Sequence, residues 1–105
     1  MNAASEDATP SHDFSREMGL NHAEFFRSLP AAIDHREYRR DGDQVRVDID
    51  TGRHVLFDLG PQGERVIALL RLPVTPVRFL FHGFDNDAFE AFMRRFDLCF
   101  RRGGG

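Results

Sequence analysis

Fourteen arginines, five histidines and a single cysteine are the side chains of this 105-residue chain with the most chemistry to offer, and lysine is absent. Without lysine there is no amine for a Schiff base and no phosphate-loop lysine. Cys99 stands alone, which excludes an intrachain disulfide and a cysteine-based zinc cluster. Its helical spacing from Phe92 and Phe96 reads as a small buried hydrophobe rather than a nucleophile. His12, His22 and His35 are scattered along the chain. His54 and His82 fall on the same face of two expected strands with a third strand between them, roughly 10 Å apart, a poor geometry for one metal ion. Asp48, Asp50, Asp58, Asp85 and Asp87 each read as a cross-strand partner, turn residue or cap. No serine sits in a nucleophile elbow. These patterns lead us to expect no catalytic residue, no metal site and no cofactor.

The arginines form two groups. Arg71 and Arg78 are expected to oppose each other across a hairpin, an arrangement that favours an anion or carboxylate between them. With His82 they define an alternative function, a small-molecule or anion-binding protein with an enzymatic role left open. Arg94, Arg95, Arg101 and Arg102 crowd the end of an expected helix, where the helix dipole favours cations. Nucleic-acid binding by that cluster ranks lower, because the net charge is −3 and no aromatic platforms interleave with the arginines.

The elements that must position these groups follow from periodicity. Residues 1–19 are polar and aperiodic and read as a disordered tail. Residues 20–102 form one expected domain, and Gly103, Gly104 and Gly105 a flexible end. A helix is expected over 20–33, capped by Asn21 with Glu24 closing a capping box. The period then changes to two, with strands expected at 36–40, 44–49, 53–59, 64–72 and 77–83. Asp41-Gly42 sets Tyr38 against Val45. Asp50-Thr51-Gly52 sets Val47 against Val55, Val45 against Phe57 and Asp48 against His54. Gly60-Pro61-Gln62-Gly63 sets Phe57 against Val66, and a turn at Pro73-Val74-Thr75-Pro76 sets Leu70 against Phe79 and Leu69 against Leu80. A second helix is expected over 85–100, capped by Asp85, with Phe89, Phe92, Met93, Phe96 and Phe100 along one stripe. The predicted fold is α+β: a two-layer sandwich with a five-stranded antiparallel meander between one helix and another (α-β-β-β-β-β-α).

Under that register Leu56, Ile67, Leu69 and Leu80 meet on the outer sheet face, framed by Arg46, His54, Arg71, Arg78 and His82. Both helices are committed to the other face. A contiguous apolar patch with a polar rim marks a protein interface. The expected function is a non-catalytic interaction or assembly-accessory domain, docking through the outer face onto another protein or a second copy as a homodimer. No apolar run approaches the ~20 residues of a membrane span, and no membrane partner is expected. The arginine-only usage suggests a GC-rich bacterial genome, and the expected compartment is the cytoplasm.

Overall fold

A computed structural model of the chain describes residues 9–102. The elements run β1 (His12–Met18), α1 (His22–Ala32), β2 (Tyr38–Asp41), β3 (Gln44–Asp50), β4 (Arg53–Leu59), β5 (Gly63–Ile67), β6 (Leu70–His82) and α2 (Asn86–Arg102). The class is α+β, and five successive antiparallel strands lie between one helix and the next, as the periodicity predicts. The strand order across the sheet is β1-β6-β4-β3-β2, with β5 paired to β6 alone.

Both helix starts form as their sequences dictate. The Asn21 side chain accepts from the Glu24 backbone amide, and Glu24 accepts from the Asn21 amide in return. Asp85 accepts from the Ala88 amide at 2.8 Å. Pro30 does not end α1, which continues to Ala32, and the Ile33 amide still bonds the Leu29 carbonyl at 3.0 Å. The two helices share one face of the sheet. Phe25 of α1 and Phe96 of α2 both pack on Phe57, and Phe96 also meets Phe79. Val45, Val47, Val55, Phe57, Leu59, Val77, Phe79 and Phe81 complete this core from the sheet.

The hairpin of β3 and β4 has the expected register, Val47 opposite Val55, Val45 opposite Phe57 and Asp48 opposite His54. Four expectations are corrected. First, residues 12–18 of the expected tail form β1, antiparallel to β6 with Phe14 opposite Phe79. Alternation of Phe14 and Met18 with Asp13, Ser15 and Glu17 drives this, broken only by the exposed Arg16: Phe14 stacks on Phe79 at 4.7 Å, while Asp13, Ser15 and Glu17 face out. The rest of that expected tail before residue 9, and the terminal glycines, lie outside the described residues. Second, the first hairpin turns at Gly42-Asp43, so Tyr38 opposes Val47 rather than Val45. Gly42 takes the positive φ of 63° that such a turn needs.

Third, Pro73-Val74-Thr75-Pro76 is not a turn. It lies inside β6, a single strand of 13 residues. The real turn is Ala68-Leu69, which sets Ile67 opposite Leu70. Fourth, β6 therefore lies directly against β4, with Phe57 opposite Phe79 and Leu56 opposite Leu80. Val66, Leu70 and Leu72, expected in the core, are exposed.

One further close approach fixes the far end of the sheet. Gly83 has φ +82°, and a Cβ there would stand 1.9 Å from the Gly52 carbonyl oxygen.

Candidate functional site

The strand β6 has two halves. Residues 75–82 lie between β1 and β4, while residues 70–74 pair only with β5. This second half and β5 make a two-stranded arm, and the molecule reaches 49 Å in its longest dimension against 27 and 22 Å in the others.

The sequence builds the arm through its two prolines and one threonine. Alternate residues of β6 direct their backbone groups to opposite neighbours. Pro76 directs its carbonyl towards β4, where it accepts from the Gly60 amide at 2.7 Å. Pro76 has no N–H to return, and the Gly60 carbonyl is met instead by His22 Nε2 at 2.7 Å. Pro73 directs its missing N–H to the other side, beyond the end of β1, so no ladder bond is lost there. Between them the Thr75 hydroxyl, fully buried, donates to the Leu20 carbonyl at 2.7 Å. Gln62, in the link from β4 to β5, accepts from the His22 amide. The base of the arm is thus held by the start of α1.

Beyond that base no described residue covers the arm. Leu69 at the tip is 98% exposed, Leu70 62%, Val66 61%, Ile67 51% and Leu72 41%. Its charges pair locally: Arg71 with Glu64 on the arm, and Arg65 with Glu17 of β1. The tip carries a cost of its own, since Ala68 has φ +55°, a position where hairpin turns favour glycine.

The expected apolar patch is consequently split. Ile67 and Leu69 lie on the arm. Leu56 and Leu80 lie opposite each other at the centre of the outer sheet face, half-buried among polar neighbours. Arg71 and Arg78 do not oppose each other. They are seven residues apart on one strand, roughly 23 Å. Arg71 is across from Val66, and Arg78 forms a two-point ion pair with Asp13, which holds the Asp13 carboxyl below its ordinary value. The like-charge opposition occurs instead at Arg39 and Arg46, with Asp48 between them at 3.6 and 3.0 Å. These three residues and Tyr38 line a shallow cleft of about 400 Å³.

His54 and His82 are direct cross-strand neighbours, not separated by a strand, and their rings stack with centroids 4.5 Å apart. Burial, followed by the charges of Arg46 and His82, pushes the His54 pKa down, and Asp48 opposes this. Among the described residues no group of three or more His, Cys, Asp or Glu is placed to hold a metal ion. The expected basic cluster is spread along α2. Arg95 bonds the Ala31 carbonyl and pairs with Asp34 of the α1–β2 link, Arg94 and Arg101 are exposed, and Arg102 is the last helical residue. Cys99 is half-buried against the core.

No family model, curated protein or solved structure matches this chain. Its function is therefore argued from the arm and the outer face alone. Among the described residues no helix is long and apolar enough to cross a membrane.

Proposed function

We propose that the protein is a non-catalytic interaction module whose docking element is the β5–β6 arm. One observation carries this reading: Val66, Ile67, Leu69, Leu70 and Leu72 are all more than two-fifths exposed on one projecting hairpin. Their exposed fractions amount to about three whole aliphatic side chains, on the order of 300 Å² of apolar surface at roughly 100 Å² each. Patches of that size on a small protein mark binding surfaces. The arm is also prepared for docking. Its base is pinned to α1, so little order has to be gained on binding, and preorganisation of that kind lowers the cost of association. The outer face with Leu56 and Leu80 remains part of the reading as the platform beside the arm.

A photo-activatable cross-linker at position 69 tests this. Protein adducts are expected there on irradiation in cells, and few at Arg94 on the exposed side of α2. Equal labelling at both positions, or none at position 69, would sink the reading. Leu69→Asp should remove the interaction while leaving thermal stability within about 0.5 kcal/mol, because the side chain is already in water.

A further inference from the structure

We infer that the occupant of the arm is a second copy of this chain, each arm lying across the outer sheet face of the other. This rests on the reading of the arm as the docking element and names its partner.

The inference comes from one face of one strand. Along β6 the odd positions Thr75, Val77, Phe79 and Phe81 are buried in the core. The even positions 70 to 82 therefore share the opposite face, continuous from the arm to the open side of the sheet. That face carries Leu70, Leu72 and Val74 at one end, and Leu80 and His82 at the other, with Pro76 between. A twofold axis lying in the interface plane and crossing the strands at Pro76 places Leu72 over Leu80 of the second copy. It also places Leu70 over His82 and Val74 over Arg78.

The neighbouring strands agree with this arrangement. β5 lies on the same side of β6 as β4, because it is joined to β4 and the Ile67–Leu70 turn directs the even positions of β6 towards it. Ile67 is level with Leu70, and His54 is level with His82. The same axis therefore sets Ile67 over His54 of the second copy and Arg65 over Leu56, one position from Asp58. Arg65, whose charge is held by Glu17 of its own chain, thus brings its aliphatic stem to a leucine. The leucines that one chain keeps apart meet between two.

The area argument also selects a second copy. Val66 lies on the other face, across from Arg71, so one arm against a foreign surface buries on the order of 250 Å² of apolar side chain, at roughly 100 Å² per aliphatic side chain. In an isologous pair each chain contributes both an arm and a platform, which doubles the surface buried per partner and brings it towards the roughly 800 Å² of a stable interface. Both helices lie on the other side of the sheet and leave the platform open.

Sedimentation velocity on the full chain, with two kinds of variant, tests the arrangement. The wild type is expected to dimerise. Leu72→Asp should raise the dimer Kd at least tenfold, with a melting temperature unchanged at dilutions where both proteins are monomeric, since Leu72 is exposed in the single chain. Leu80 is half-buried, so its role is read by cross-linking instead. Leu72→Cys and Leu80→Cys proteins, each carrying Cys99→Ser, should join as a mixed dimer with a short bismaleimide matched to sheets packed about 10 Å apart. Either variant alone should cross-link poorly, because equivalent positions lie roughly 26 Å apart about the axis. Efficient joining of position 72 to position 72, or a dimer that survives Leu72→Asp, overturns the arrangement. A wild type that stays monomeric at its highest soluble concentration overturns the second copy as occupant, while the adducts at position 69 judge the docking reading separately. A monomer that co-sediments with phosphatidylglycerol vesicles, and ceases to with Leu69→Asp, replaces the second copy with a lipid surface.

Discussion

The two halves of β6 are equally apolar and end in opposite environments. Val77, Phe79 and Phe81 are wholly buried, while Leu70 and Leu72 stand in solvent. Hydrophobicity does not separate them; the face they occupy does, since the odd positions meet the helices and Leu70 and Leu72 lie on the even face, turned away from them. A strand of 13 residues spans about 43 Å, whereas α1 with 11 residues and α2 with 17 span about 16 and 25 Å. The helical layer ends before the strand does. Leu80, on the same even face but within the body of the sheet, is half-buried, whereas Leu70 and Leu72 have only β5 beside them.

The strongest way to break this contrast is a matched pair of truncations. Phe79→Ala removes a ring packed on Phe14, Phe57 and Phe96, and should cost about 3–5 kcal/mol in urea unfolding. Leu70→Ala in dilute monomer should cost no more than about 0.5 kcal/mol. Equal losses would mean that the arm is packed in the single chain. Gly83→Ala addresses the body again. A Cβ would meet the Gly52 carbonyl at 1.9 Å at a φ of +82°, so a loss of about 2 kcal/mol or more is expected by the same measurement.

Protonation sharpens the comparison more gently. The folded His54 pKa lies below the ordinary 6.5, so the folded protein binds fewer protons than the unfolded chain just below that pH. Stability from this group is therefore complete above 6.5 and is lost as the pH falls from there towards the lowered folded value. His54→Gln should flatten that slope in a pH series of thermal melts, while changes on the arm should leave it unaltered. The smallest effect belongs to the tip. Ala68→Gly relieves a left-handed alanine and should stabilise the arm by up to about 1 kcal/mol. Hydrogen exchange should show slower amides at Ile67 and Leu70 with no change in the core.

What the sequence disclosed depends on how local each signal is. The capping box at Asn21 and the cap at Asp85 are short-range hydrogen bonds, legible from residue type and spacing. The register of β3 on β4 follows from a glycine-containing turn and clean alternation. The final hairpin was not legible in the same way. Its true turn, Ala68-Leu69, contains no turn-forming residue, while Pro73 and Pro76 imitate a turn in the middle of a strand. They are tolerated because the missing N–H of Pro73 points past the end of β1 and His22 takes the place of that of Pro76 at the Gly60 carbonyl, which only the assembled sheet reveals. The same misplacement put a strand between His54 and His82 and hid their stacking. β1 did carry a signal, the alternation of Asp13, Ser15 and Glu17 with His12, Phe14 and Met18, but its apolar side holds only Phe14 and Met18. The apolar arm was visible as residues and invisible as a projection, since Leu56 and Leu80 share its composition.

The hydrogen bond from Thr75 to Leu20 has a mechanical meaning. It sits where the free half of β6 leaves the body, and the five residues beyond it form a lever about 17 Å long. Thr75 is the fulcrum, and the short end of the lever is the joint between β1 and α1. A sideways load at Leu69 acts on that single bond with the whole length of the arm as its moment arm.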